Sequence, residues 1–477
     1  MSVKSVPPAS DRVWGDEDEV VSAAVRYAWN RLKQDPDPVT GARPAADLAE
    51  AAGGTVTAPG IGAAAALGLF DRVLAPATRA QNGPTNLAYI PAAPTRAALA
   101  FEAVTGATNI FAGTWEAGAG AIHAENEALA WLTRLLGWPA TAAGCFVSGG
   151  TMGNLSALVA ARAACERPRP AGGWKIVCAD SAHSSIGSAA RTMDVEVVTA
   201  PVDRHGRLTG AAVSAALDAA DGVFAVVATA GTTNAGLVDE LDAVADACER
   251  HGVWLHVDGA YGGAGLAADS VRHRYAGIER ADSFIVDPHK WLFAPYDCCA
   301  LLYRDPAPAR AAHSQSAHYL DAIDRDVHNP SDLALHLSRR ARGLPFWFSL
   351  AVHGTDRYAA AVERTLTVSR QVADAVRASD HLRLVAEPDL SVVLFERPGW
   401  GARDYAAWSA QAARTGATLC VPTRWNGRTV LRMAFVNPDT RAHDVIEVLQ
   451  TLRGDRFGQG AHGPGGDAVR SSSTGPG

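Results

Sequence analysis

Between positions 145 and 303 the sequence alternates short apolar runs with amphipathic ones, and this alternation restricts the fold more than any other feature. Strands are expected at 145–147, 176–179, 195–198, 223–229, 253–257, 283–286 and 300–303, with helices at 153–165, 186–193, 211–219 and 241–250. Strands and helices alternating over such a length form a mostly parallel sheet covered by helices on both faces. Sheets of this kind bind ligands beyond the carboxyl ends of their strands. The residues after Val147, Ala179, Thr229, Val257 and Val286 should therefore meet around one crevice.

The flanks carry other patterns. Residues 1–85 read as an N-terminal helical segment and 86–355 as the large α/β domain, its polar stretch of about 306–338 forming a mobile loop. Residues 356–453 read as a small C-terminal α/β domain and 454–477, rich in Gly, Ser and Pro, as a disordered tail. Within these, 97–137 is expected to be helical with a glycine-rich break at 117–120, and one long helix should run from 344 towards 378. Strands at 382–385, 391–395, 418–421 and 430–435, with a last helix at 442–452, should build the small domain. The segment NLAYIPAAP, residues 86–94, reads as a loop with an exposed Tyr89.

Composition narrows the class. With 48% hydrophobic and 19% charged residues in 477, the chain can bury a large core in two or three lobes. A net charge of −7 argues against nucleic acid or an anionic membrane as partner. The start of the chain has no apolar run after its charges, and the most apolar stretch, 61–70, falls short of the about 20 residues a bilayer needs. Seven cysteines without a CxxC spacing read as reduced core residues of a cytoplasmic protein, and no metal site is expected.

The residues at the strand ends carry the chemistry. The chain has four lysines (Lys4, Lys33, Lys175, Lys290), and Lys290 alone lies between apolar segments. Such surroundings should depress the amine's pKa and prime it to form a Schiff base; the alternative is a lysine snorkelling to the surface. Asp258 ends an apolar strand, where a carboxylate needs a cation such as the ring nitrogen of pyridoxal phosphate. Otherwise it is a turn residue before Gly259. Ser148, Gly149, Gly150 and Thr151 follow a strand and open a helix, which suits a phosphate, although a glycine-rich turn capped by Thr151 would look alike. Neither the GxGxxG order nor a P-loop lysine is present, so nucleotides fit less well. His183 can lie flat on a ring and exchange protons, or be an ordinary exposed histidine. Thr233 can offer a hydroxyl or belong to a turn. Each reading has a plain alternative, but five strand ends all bearing what one cofactor requires point to pyridoxal 5'-phosphate.

These motifs resemble the group II pyridoxal-phosphate-dependent amino acid decarboxylases, the aromatic-L-amino-acid, histidine and glutamate decarboxylases. The resemblance rests on SGGTMGNLSAL, AHSS, AGTTNAGLVDEL, HVDGAYGG, VDPHKWL and YDCCALLYRD, and runs from about Asn86 to Gly354. It implies a fold-type I, aspartate aminotransferase-like homodimer with active sites at the subunit interface. It further implies that Lys290 carries the cofactor and that Asp258 pairs with its ring nitrogen. His183 would stack on the ring, and Thr233 would lie near the cofactor oxygen and the substrate carboxylate. Gly150, Thr151 and His289 would serve the phosphate, beside Ser148, Gly149 and Ala260. Tyr319 falls where the family keeps a loop tyrosine that protonates Cα from the neighbouring subunit.

The expected reaction is decarboxylation of an L-amino acid to its amine and CO₂, with decarboxylation-coupled oxidation to an aldehyde, or carbon–sulfur lysis, as alternatives on the same scaffold. Substrate-facing positions by resemblance are Tyr89, Ile90, Pro91, Phe111 and Gly113. Aromatic-specific relatives usually carry phenylalanine at the positions of Ile90 and Gly113, and often threonine at that of Ala92. Loss of a phenylalanine at Gly113 is expected to enlarge the pocket for a bulky, tryptophan-like substrate.

Overall fold

The computed structural model describes residues 17–34, 41, 43–315, 324 and 326–454. All seven expected strands of the large sheet form: β1 (Ala143–Val147), β2 (Lys175–Ala179), β3 (Glu196–Ala200), β4 (Val223–Thr229), β5 (Trp254–Asp258), β6 (Ser283–Val286) and β7 (Cys299–Tyr303). Their order is β1-β7-β6-β5-β4-β2-β3. The run from β6 to β3 is parallel, and β7 is antiparallel to both β6 and β1. The sheet is buried on both faces, which is why β4 reads VFAVVAT with no polar alternation. Along β2 successive side chains enter opposite cores. Ile176 and Cys178 pack with Leu158 and Ile186, whereas Val177 and Ala179 pack with Val213 and Val244.

The smaller sheet is antiparallel, with β8 (Arg383–Ala386), β9 (Val392–Glu396), β10 (Val421–Trp425) and β11 (Arg428–Ala434) in the order β10-β11-β9-β8. Here the expected strand at 418–421 is corrected. Asn426 and Gly427 both have positive φ (47° and 76°), the two-residue turn that suits a right-twisted hairpin, so Trp425 pairs with Arg428 and the strand runs up to the turn.

Three further expectations are corrected by local backbone. The single helix from 344 is two, Leu344–His353 and Thr355–Arg377, parted at Gly354 with φ +77°. The break in 97–137 lies between helices Arg96–Thr108 and Trp115–Leu136, after Asn109 in the left-handed region; Gly118 only kinks the second. Part of the polar stretch 306–338 is ordered, with a helix at Ala307–His313 and Pro330–Asp332 buried. Tyr319 lies outside the described residues, as do residues 1–16 and the tail from 455.

Two contacts tie the smaller sheet to the large one. Leu87 N donates to Leu419 O and Ala434 N donates to Leu87 O, so the chain passes along the smaller sheet just before Tyr89. Asp389 (5% exposed) accepts from Arg207 at 2.7 Å and Arg274 at 2.6 Å, and from Val238 N at 3.1 Å. Removing this carboxylate strands two arginines that are themselves only partly exposed. Asp389→Ala is therefore expected to cost about 2–3 kcal/mol, below the range for fully buried pairs, read as a lowered midpoint in urea unfolding.

Candidate functional site

A cavity of about 620 Å³ opens between the carboxyl ends of the large sheet and strands β10 and β11 of the smaller one. Ser148, Gly149, Gly150, Thr151, His183, Thr233, Asp258, Ala260, His289 and Lys290 all line it, together with Tyr89 and Ile90. Five strand ends thus converge, as parallel topology requires.

The glycines are there for close approach. A Cβ on Gly150 would stand 3.2 Å from both Ala260 Cβ and Asp287 Oδ2, and one on Gly153 would stand 2.8 Å from Ile285 Cγ2. The N-terminus of helix Gly150–Ala164 therefore presses against the ends of β5 and β6, with its free amides turned to the cavity. His289 is buried beside it, its Nδ1 2.7 Å from Cys298 O and its ring 4.9 Å from that of Tyr296.

Lys290 corrects one expectation. Burial alone would lower its pKa, but the carboxylate of Asp287, 2.8 Å from Nζ, outweighs burial and holds the amine above its ordinary range. Reciprocally, burial would raise Asp287, yet Lys290 and His289 keep it below the usual carboxylate range. The two directions agree and describe one ion pair. Asp287 is 2% exposed, and its Oδ1 is buried without a partner among the described residues. Asp258 lines the same cavity, its Oδ1 accepting from Ala260 N at 3.0 Å and its Oδ2 from Asn154 Nδ2 at 2.8 Å. His183 caps the helix Ser184–Met193, its Nδ1 accepting from Ser185 N at 3.2 Å.

Sequence reasoning missed three members of the wall. Asp287 stands inside the quoted DPHK motif, Asn154 one turn into the glycine-opened helix, and Arg432 among the buried apolar residues Val430, Leu431, Met433 and Ala434 of β11. Arg432 is 6% exposed and donates to Thr233 O at 2.8 Å, Asn234 O at 3.0 Å and Tyr89 O at 2.6 Å. A charged residue flanked on both sides by the apolar run of β11 was the signal that could have found it. Arg432 fastens the turn carrying Thr233 to the loop carrying Tyr89, which is 66% exposed with φ +56°.

The other substrate-facing expectations fare differently. Pro91, although buried, Phe111 and Gly113 do not line this cavity. The space at Gly113 is already filled, since a Cβ there would lie 2.4 Å from Leu337 O and 2.6 Å from the Phe111 ring. Gly113 therefore enlarges nothing within this chain.

An amine, a carboxylate, an imidazole and a glycine-opened helix N-terminus lining one cavity together fit pyridoxal phosphate, with an amine for its aldehyde, a carboxylate for its ring nitrogen and backbone amides for its phosphate. The conserved-domain profile of pyridoxal-dependent decarboxylases matches residues 64–397. The chain belongs to that family. This pyridoxal-dependent decarboxylase is 33% identical over 408 residues to the L-2,4-diaminobutyrate decarboxylase of Rhizobium meliloti (strain 1021), covering 82% of each chain. It is 29% identical over 390 residues to the aromatic-L-amino-acid decarboxylase of Bacillus atrophaeus, covering 78% of this chain and 80% of that one. Its fold matches that of Oryza sativa TDC with PLP and tryptamine at a TM-score of 0.83 and 25% identity, over 94% and 98% of the two chains. The decarboxylase is thus a carboxy-lyase that uses pyridoxal phosphate on an amino acid. Among its described residues no helix is long and apolar enough to cross a membrane, and no cluster of metal ligands occurs.

Proposed function

We propose that this decarboxylase converts an aromatic or similarly bulky L-amino acid to its amine and CO₂, working in the cytoplasm as a homodimer. One observation carries the substrate class. Of the carboxylates lining the cavity, Asp287 is paired with Lys290 and Asp297 with Arg342, and Asp258, held by Asn154, is the one the cofactor's ring nitrogen would take. A cationic side chain would find no free counter-charge among the described residues, while Tyr89, Ile90, Tyr296 and Pro422 offer aromatic and apolar surface. For the dimer, the support is surface. Val20, Val21, Val25 and Trp29, on a helix with no buried residue, are 43–63% exposed.

In this reading each residue has one task. Bound pyridoxal phosphate supplies the electron sink for the bond between Cα and the carboxylate. Lys290 would hold the cofactor through its amine, which Asp287 keeps in place. Asp258, held by Ala260 N and Asn154, keeps a fixed negative charge opposite the ring nitrogen. The amides at Gly150 and Thr151, with His289, take the phosphate. His183 lines the cavity with its Nδ1 held by Ser185, and Arg432 keeps the Tyr89 and Thr233 segments in place around the substrate.

The test is mass spectrometry of products from the cofactor-loaded protein given tryptophan, tyrosine, phenylalanine, glutamate and 2,4-diaminobutyrate in air. Amines from the aromatic members, one CO₂ lighter than their parents, are the expected outcome. Faster turnover of diaminobutyrate would overturn the substrate class, and an aldehyde with peroxide would overturn the non-oxidative course.

A further inference from the structure

A buried hydrogen-bond chain runs behind the cavity wall and joins Asp258 to His183, both of which line the cavity. Trp254 Nε1–H donates to Ser283 Oγ at 2.8 Å, and Ser283 Oγ lies 2.8 Å from His256 Nδ1. His256 Nε2 is 2.8 Å from Asn154 Oδ1. Asn154 Nδ2 then donates twice, to Asp258 Oδ2 at 2.8 Å and to Ser185 Oγ at 2.9 Å. Ser185 Oγ in turn is 2.8 Å from His183 Nδ1. Asn154, Ser185, His256 and Ser283 are all 3% exposed or less, so no water competes for these bonds.

The direction of every bond follows from its neighbours. A carboxylate accepts only, so Asn154 must turn Nδ2 to Asp258; the flipped amide would set oxygen against oxygen. Asn154 Oδ1 then faces His256, which must carry its proton on Nε2. Burial holds His256 below the ordinary imidazole range, so its Nδ1 is a bare lone pair. Ser283 gives its hydroxyl proton there, its oxygen being engaged by the indole N–H, which can only donate. On the other branch, the second amide proton of Asn154 occupies Ser185 Oγ and sends the Ser185 hydroxyl proton to His183 Nδ1. The Ser185 backbone N–H, a donor with no alternative role, points at the same nitrogen. The ring proton of His183 is therefore on Nε2, which has no partner among the described residues and belongs to a ring lining the cavity.

We propose that Asn154 is a positioning residue that sets two members of the cofactor site at once, holding Asp258 Oδ2 directly and, through Ser185, fixing the His183 proton on Nε2, the ring nitrogen with no partner among the described residues. With that proton in place His183 donates into the site; the other tautomer would present a lone pair instead. Its catalytic consequence rests on the decarboxylase reading, whereas the tautomers themselves do not.

The experiment uses the cofactor-free protein labelled with ¹⁵N-histidine, the His183 and His256 resonances being identified by their loss in H183Q and H256Q. Two-bond ¹⁵N–¹H spectra distinguish the tautomers, and the wild type should show both residues as Nε2–H. Finding either as Nδ1–H would overturn the chain without recourse to a variant. Asn154→Asp keeps the shape but removes the amide donor, and the new carboxylate and Asp258 must share one proton at this distance. The Ser185 hydroxyl should then swing to the new carboxylate and leave its oxygen against His183 Nδ1. His183 is expected to shift to Nδ1–H, and His256, now beside a carboxylate, to take a second proton. In the loaded enzyme kcat should fall about 100-fold with KM changed less than about threefold. An Asn154 that merely fills space would lower stability and leave both tautomers and kcat as they were, which sinks the proposal. Wild-type spectra as expected, in a protein that releases CO₂ from no amino acid, would uphold the chain and overturn the decarboxylase reading.

Discussion

Lys290→Ala is expected to abolish turnover, by more than about 10³-fold, and with it the adduct that borohydride reduction would otherwise leave on the Lys290 peptide. The amine cannot be replaced from nearby, because Lys175 starts β2 at the far end of the sheet and pairs with Glu196. The substitution also does something a catalytic role alone would not. Asp287 is 2% exposed and its Oδ1 has no other partner, so deleting the amine leaves a buried carboxylate without its cation. Because Lys290 itself is 26% exposed on the cavity side, solvent reaches the pair. The stability loss should therefore fall below the usual penalty for a broken buried pair, at about 1–3 kcal/mol. Lys290→Arg separates the two effects, since it returns a cation to Asp287 but no amine. It should be as inactive as Lys290→Ala and nearly as stable as the wild type. The sign with pH follows from the two shifts. Asp287 is lowered, so its contribution is present above the ordinary carboxylate range and lost on acidification; Lys290 is raised, so its contribution persists until strongly basic pH. The stability gap between the two variants should stay flat across neutral pH. Equal stability of the two, or adduct formation in either, would remove Lys290 from this role.

What was legible in the chain was whatever depends on residue type at a fixed point of the topology. The large sheet was readable because strands buried on both faces must be continuously apolar, and β4 and β6 run as expected to the residue. Once the sheet is parallel, its carboxyl ends lie together, so Lys290, Asp258 and His183 could be placed in one cavity. What depends on how side chains and segments turn towards one another in space was not legible. The pKa of Lys290 was misjudged because apolar flanks say nothing of a carboxylate three residues earlier that turns back on the amine. Gly113 looked like an opened pocket because a missing side chain was equated with missing volume, whereas Leu337 O and the Phe111 ring fill the place. Arg432 and Asn154 were passed over because neither lies at a strand end. One reaches the cavity from the second sheet and the other from behind its wall. The boundary at 421 was missed for a different reason, since the Asn426-Gly427 turn signal was present and would have set the hairpin register.

The largest stability effect is expected where no chemistry occurs. Glu125 and Arg339 form an ion pair whose side chains are 3% and 1% exposed, with Arg339 Nη2 2.8 Å from Glu125 Oε1. Gly343 N donates to the same oxygen at 2.7 Å, and Arg339 Nη1 donates to Ala112 O at 2.8 Å. The pair thus ties the long helix Trp115–Leu136 to the loop before it and to the segment entering helix Leu344–His353. Breaking such a pair from either side should cost about 3–5 kcal/mol, whereas replacing both partners by apolar groups of similar volume should cost far less. The two single variants should differ in their pH dependence. Burial already raises the pKa of Glu125 and Arg339 pulls it back down. In Arg339→Ala that pull is gone, so the carboxyl moves further up and folding takes up a proton that the unfolded chain lacks. Its stability should then recover as pH falls from 8 towards 5 and worsen as pH rises. In Glu125→Ala the orphan is a guanidinium that stays charged at every accessible pH, so the same scan should leave its deficit unchanged. Urea unfolding of the two variants and of the double variant Glu125→Leu/Arg339→Met at both pH values decides this. Parallel pH curves for the single variants would mean that the Glu125 carboxyl does not titrate in the folded state.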